Sequence, residues 1–276
     1  MTVSETPHLV ITPPKGWVSF DLDGLWNYRE LLFFLAWRDV QIRYKQTVLG
    51  VAWAVLQPLL TMLIFTLFFG KVAKIPSDGY PYAVFAYAGL LPWTFFANAI
   101  TNSGNSLVQN SQLISKVYFP RLIMPASPVV AGLMDFAISL VILFILFFFY
   151  GVHLTVNLLA LPALTLLTTL LATGVGTFFA GLNVKYRDIR HALPFIVQLM
   201  MFATPIIYPM SMVPQKYQWV LALNPMAGIV EGFRACLLGG QFDLFSLTRS
   251  LLITLVVLTG SVMYFRSVER HFADIV

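Results

Sequence analysis

Charge is what this chain has least of. Only 11% of its 276 residues are Asp, Glu, Lys or Arg, and between Leu122 and Val184 the sole ionised side chain is Asp135. A soluble fold needs ionic groups at intervals over its surface, so a run of that length excludes one. Cysteine is nearly missing too. Cys236 stands alone, which excludes an internal disulfide and a cysteine metal cluster and leaves a small apolar residue. There is no GxxxxGK-Ser/Thr phosphate loop, so the chain does not hold ATP in that manner, and no HExxH or paired His/Cys set. Residues 1–30 are polar and lack a short apolar core with a small-residue cleavage site, so no removed signal peptide is expected. Internal repeats and low-complexity tracts are absent as well.

What remains is apolar: 58% hydrophobic residues, 24 of them Phe, and a mean hydropathy of +0.79. A bilayer core of ~30 Å takes about 20 such residues per helix. Backbone groups in hydrocarbon must satisfy one another, and continuous apolar runs, rather than strict alternation, select helices over a barrel. Six spans can be laid down, at about residues 48–70, 82–108, 122–150, 158–184, 193–209 and 244–265. The expected fold is all-α: a polytopic membrane protein of six transmembrane helices, with residues 1–47 as a cytoplasmic tail plus interfacial helix and 48–276 as the six-helix transmembrane domain.

The gaps set the orientation. With the N-terminus inside, Lys15, Arg29, Arg38, Arg43, Lys45, Lys116, Arg121, Lys185, Arg187, Arg190, Arg266 and Arg270 face the cytoplasm. Lys71, Lys74, Lys216, Arg234 and Arg249 stay outside. Both termini are therefore expected inside. The net charge of +5 belongs to this topology and to anionic lipid heads, not to nucleic acid. Residues 217–240 are apolar enough to tempt a seventh crossing, but contain Asn224-Pro225, Gly228, Gly232, Glu231 and Arg234. Proline, glycine and two ionic groups argue for a broken, re-entrant segment between helices 5 and 6 on the outer face.

Before the first span, Asn27-Tyr28-Arg29-Glu30 has the pattern of a capping box. The apolar stretch 31–37 follows, flanked by Arg29, Arg38, Arg43 and Lys45, which reads as an amphipathic helix on the membrane surface with cations toward lipid phosphate or water. In span 4, Thr165, Thr169, Thr173, Thr177 and Gly181 recur every four residues, the pattern of close helix packing or, alternatively, a polar lining. Span 2 carries a polar stripe, Asn98, Thr101, Asn102, Asn105, Ser106 and Gln109, facing a cavity or leaving the membrane. Asp135 lies in mid-span with no ionisable partner on any span, so a protonated or hydrogen-bonded carboxyl, against the Asn stripe for instance, is expected. That isolation disfavours an ion-coupled carrier. Asp21-Leu22-Asp23 is too little for a sugar transferase.

Several stretches, in order, resemble the membrane subunit of type-2 ABC exporters, in particular polysaccharide exporters of the O-antigen and teichoic-acid kind. They are Trp37-Arg38-Asp39-Val40, Arg43-Tyr44-Lys45-Gln46-Thr47-Val48-Leu49-Gly50, Trp53-Ala54-Val55-Leu56-Gln57-Pro58, Lys116-Val117-Tyr118-Phe119-Pro120-Arg121, Tyr186-Arg187-Asp188-Ile189, Thr204-Pro205-Ile206-Ile207-Tyr208 and Leu223-Asn224-Pro225-Met226. The resemblance implies a homodimeric permease in the bacterial inner membrane, joined to two copies of a separate ATPase that binds ATP and Mg, with no cofactor or catalytic or metal site in this chain. It implies contact with the ATPase through residues 110–119 and the 186–188 loop, giving Gln112, Lys116, Tyr118, Arg187 and Asp188 as coupling residues. It implies a lipid-linked polysaccharide drawn to Arg29, Arg38, Arg43 and Lys45. The path or gate would be walled by Trp53, Tyr82, Trp93, Asn98, Asn102, Tyr208, Glu231 and Arg234. Export of a drug or small lipid, and a membrane-embedded glycan-assembly enzyme, are the alternatives.

Overall fold

Apolar runs this long leave the backbone no partner but itself, and helix is the only regular structure among the described residues. The computed structural model of the chain describes residues 26–45 and 50–269. Lys15, Asp21, Asp23, Arg270 and the expected start of the first span at Val48 lie outside them.

The surface helix, α1, runs Arg29–Lys45. Asn27 itself stands in helical backbone, so the expected capping box is not the helix start. The first span is α2, Gly50–Phe65, continued by a π-helical stretch Thr66–Val72. Then come α3 (Tyr82–Gln109), the short α4 (Ser111–Lys116), α5 (Ile123–Tyr150) and α6 (Leu161–Lys185). The remainder is α7 (Ile189–Phe202), α8 (Gln215–Ala222), α9 (Pro225–Leu238) and α10 (Leu244–Glu269).

Among the described residues five helices are long and apolar enough to cross a bilayer, or six if the bent α8–α9 pair counts as one span. The fifth crossing in chain order differs from expectation. Hydropathy suggests 193–209, whereas the helix is α7, of 14 residues. At 1.5 Å per residue that is about 21 Å, short of the ~30 Å core. Pro205 and Pro209 stop it, and the chain goes on through turns at 203–209.

The α8–α9 pair bends by 102°. Asn224 caps α9, its Oδ1 accepting from the Met226 amide at 3.0 Å with Pro225 at the first helical position. Both ends of the pair return to one loop. Ser211 donates to Asp78 at 3.2 Å before it, and the Tyr80 hydroxyl donates to the Leu238 carbonyl at 2.7 Å after it. A segment whose two ends meet the same loop is re-entrant. Gly239, at φ +81°, closes α9 in a left-handed turn open to glycine at little cost.

Helix α3 is the pillar: its apolar window is 83% buried, against 17% for α2 and α10. Small residues bring its neighbours in. A Cβ on Gly176 of α6 would stand 2.4 Å from Ser103 Oγ on α3, and one on Gly174 would stand 3.0 Å from the Leu258 backbone on α10. The hydroxyls of Thr165, Thr169 and Thr173 each donate to the carbonyl four residues earlier at 2.8 Å. These bonds stay within α6, and none of the three threonines lines the groove or the chamber described below.

At one end of the bundle Leu35, Leu107, Ile114, Phe119, Val184 and Phe265 form a separate apolar cluster, and Arg121 donates to the Glu269 carbonyl at 3.0 Å. The opposite end is tied by Tyr80, Asn157 and the re-entrant pair, Asn157 donating to the Ala235 and Gly240 carbonyls at 3.1 and 2.8 Å.

Candidate translocation groove

The groove begins with how α1 is held. Spacing of four puts Leu35, Asp39 and Arg43 on one face, and Leu35 is 2% exposed. That face lies on α5. Asp39 accepts from its neighbour Arg38 at 2.8 Å and from Ser127 of α5 at 2.9 Å. One turn on, Arg43 and Tyr44 both donate to the carboxylate of Asp135. Asp135 therefore has a cationic partner, supplied by the surface helix and not by a span. The opposite face of α1 leaves Phe33, Phe34 and Trp37 exposed, and Trp26 just before the helix is exposed as well.

This docking changes the reading of the four cations on α1. Arg38 and Arg43 are turned to carboxylates within the protein. Lys45 is exposed, and Arg29 is exposed with its guanidinium 5.2 Å from the Trp26 ring centre.

Beside the Asp135 pair runs a groove of about 960 Å³ between α2, α3 and α5. Helix α2 contributes Trp53, Gln57 and Thr61; α3 contributes Thr94, Asn98 and Asn102 with Trp93 alongside. Each set steps by four residues, one helical turn, so two polar ladders face one space. The side-chain amides of Gln57, Asn98 and Asn102 are exposed and have no hydrogen-bond partner among the described residues. Deeper amides of the same stripe are satisfied: Asn105 donates to the Thr101 carbonyl at 2.9 Å, and Asn183 to the Gly104 carbonyl at 2.9 Å. The stripe thus splits into an inward half that packs and a half that lines open space.

Four of the eight expected path residues, Trp53, Trp93, Asn98 and Asn102, meet in this groove. Sequence reasoning passed over Gln57, Thr61 and Thr94, although their spacing of four from Trp53 and Asn98 carried the signal. The other four lie toward the opposite end, around the turn after α7. Arg234 donates to the carbonyls of Pro205 (2.7 Å), Ile206 (2.6 Å) and Tyr208 (3.4 Å) and to Glu231 (3.0 Å). Its guanidinium lies 3.8 Å from the centre of the Phe85 ring, and Gly89 leaves it room, since a Cβ there would stand 2.9 Å from Nη2. The Tyr82 hydroxyl donates to the Ile207 carbonyl at 2.7 Å. Arg234 is 5% exposed, a clamp on an irregular turn whose carbonyls have no helical partner. With Glu231 it borders a second, smaller chamber of about 350 Å³, which also takes in Asp78, Asp243 and Arg249.

At the end marked by the Leu107–Ile114 cluster, Gln112, Lys116, Tyr118, Arg187 and Asp188 are all exposed. No group of three or more metal-ligating side chains occurs among the described residues.

A family model described as ABC-2 type transporter matches residues 30–238. The chain belongs to that family. The ABC-2 match spans α1 to α9 and so takes in every residue of the groove. Among curated proteins, the chain is 30% identical over 248 residues to the O-antigen export system permease protein RfbA of Klebsiella pneumoniae, covering 89% of this chain and 95% of the relative. It is 30% identical over 253 residues to the RfbA of Myxococcus xanthus, covering 91% and 96%. The polysialic acid transport protein KpsM of Escherichia coli is 25% identical over 239 residues, covering 84% of this chain and 91% of KpsM. An ABC-2 protein with this fold is a transport subunit.

Proposed function

We propose that this chain is the permease subunit of an ATP-driven exporter carrying a lipid-linked polysaccharide from the cytoplasmic to the outer side of a bacterial inner membrane. The observation that carries the reading is the groove, where Trp53 and Trp93 stand beside the unpartnered amides of Gln57, Asn98 and Asn102. Sugar hydroxyls both donate and accept, as amides do, and aromatic faces stack on sugar rings. Many weak contacts of this kind suit a conduit, which must bind well enough to admit and weakly enough to release. The names of the three relatives point the same way.

The energy comes from a separate ATPase holding ATP and Mg, two copies for each pair of permeases. Gln112, Lys116, Tyr118, Arg187 and Asp188 form its docking surface. A second copy of the chain closes the open side of the groove, and both termini face the cytoplasm. Arg29 and Lys45 remain to meet the lipid phosphate. Deleting the gene tests this. Surface glycan should disappear and accumulate inside the cell, and a copy carrying Asn98→Leu and Asn102→Leu should restore protein to the membrane but not glycan to the surface. Unchanged surface glycan in the deletion strain overturns the proposal.

A further inference from the structure

Neither the groove nor the outer chamber carries a net positive charge among the described residues. Among the described residues the groove of about 960 Å³ has 19 lining residues, of which only Arg43 is cationic and only Asp135 anionic, and these two are bonded to each other. Its net charge is zero. The outer chamber has three carboxylates, Asp78, Glu231 and Asp243, against two guanidiniums, Arg234 and Arg249, a net charge of −1. Of those two, Arg234 is already engaged with three backbone carbonyls and Glu231.

We infer that the exported glycan is uncharged along its repeat, and that the lining of both spaces discriminates against polyanions. This inference rests on the polysaccharide reading and narrows it. An ionised carboxylate or phosphate moved from water into a partly apolar groove without a countercharge is strongly disfavoured. A polyanion would meet that penalty at every repeat. The groove answers instead to neutral, hydroxyl-rich cargo, through the amides of Gln57, Asn98 and Asn102 and the rings of Trp53 and Trp93. The exposed cations of α1, Arg29 and Lys45, are not among the groove residues. They can attract one anchoring phosphate at the entrance without lining the path behind it. KpsM is named for polysialic acid, a polyanion, and is 25% identical to this chain, so the inference sets this chain's cargo apart from the one in that name.

The test uses the full-length chain in lipid nanodiscs and isothermal titration with oligomers of matched length: two neutral ones, a maltooligosaccharide and a mannan fragment, and an α2,8-linked oligosialic acid. The neutral oligomers should bind with a dissociation constant that does not change with salt, and the sialic oligomer at least about tenfold more weakly. Asn98→Lys with Asn102→Lys, and separately Gln57→Lys, should strengthen sialic-oligomer binding and make it salt-dependent. These positions are exposed, so the variants should fold, which gel filtration checks. Equal or tighter binding of the sialic oligomer to the unaltered chain overturns the inference and leaves the polysaccharide reading standing. Binding of none of the three overturns that reading itself, and the inference with it.

Discussion

The Arg43–Asp135 pair decides whether α1 is part of the groove wall or merely lies on the lipid. It joins residues 92 positions apart, with side chains 33% and 21% exposed. Exposed pairs contribute about 0–1 kcal/mol, whereas removing one partner of a fully buried pair costs about 3–5 kcal/mol. A pair this deep should lie between, with a coupling of about 2 kcal/mol. Asp135→Asn is the sharpest perturbation, because the amide oxygen still accepts from Tyr44 while the charge facing Arg43 is lost. Arg43→Gln removes the other charge. Each change alone should destabilise by about 2 kcal/mol, and the double variant by little more than either.

The readout can be local. Ala36 sits under α1 at 4% exposure, and the lone native cysteine, Cys236, is buried. In a Cys236→Ser background, Ala36→Cys should react slowly with a maleimide, since reaction requires α1 to lift from α5. Loss of about 2 kcal/mol of docking energy raises the lifted population about 30-fold, and the labelling rate with it. Additive single variants and an unchanged labelling rate would refute the reasoning. They would mean that α1 is held by its apolar contacts alone and that Asp135 is incidental.

Three further outcomes follow from the packing. Gly176→Ala drives a Cβ to within 2.4 Å of Ser103 Oγ, which is itself fixed by a 2.7 Å bond to the Pro125 carbonyl, so detergent unfolding should show a loss of about 1–3 kcal/mol. The control, Gly260→Ala, meets nothing within 4 Å and should be neutral or stabilising. Arg234→Lys keeps the charge but not the planar fork that serves several carbonyls together, and should lower the unfolding midpoint and raise proteolysis at the 203–209 turn. Asp243 accepts from the Ser246 amide at 3.1 Å and hydroxyl at 2.5 Å at the start of α10, and these bonds hold its carboxyl below the usual range. A lowered folded-state value means the stabilisation is complete above the ordinary carboxylate pKa and is lost as pH falls through the lowered one. Asp243→Ala should therefore cost about 1 kcal/mol at neutral pH, with the difference from the unaltered chain vanishing in strong acid.

How much of this could be read in advance depended on whether the signal was local. Span 2 was expected at 82–108 and found at Tyr82–Gln109, because an apolar run bounded by Pro81 and a polar exit defines itself. The re-entrant segment was legible for the same reason: Asn224-Pro225, Glu231 and Arg234 interrupt an apolar run within a few residues. The fifth crossing was misjudged because hydropathy scores Pro205, Ile206 and Ile207 as apolar without registering that the prolines end the helix. Half the expected path residues meet in the groove because helical spacing of four is local too. Tyr82, Tyr208, Glu231 and Arg234 were grouped with them by the family resemblance, and only the fold places them away from the groove, Glu231 and Arg234 at the outer chamber.

The partner of Asp135 is the instructive case. A search confined to the spans could not succeed, because the cation stands on a helix assigned to the membrane surface. Charge patterning counts basic residues but does not say what they face, and an arginine reads the same opposite a lipid phosphate as opposite a carboxylate. The carboxylate was the better signal. An ionised group in an apolar span is too costly to stand alone, so it implies a cation within reach, and no other span supplied one. The four cations on α1 were the supply left over, and a helix carrying them close to the first span is positioned to deliver one. Two unexplained features, an orphan anion in the membrane and a surplus of cations beside it, are more economically read as one contact than as two functions. The same logic bears on the cargo: Arg43 is committed to Asp135 and Arg38 to Asp39, and the two exposed cations of α1, Arg29 and Lys45, stand outside the groove lining.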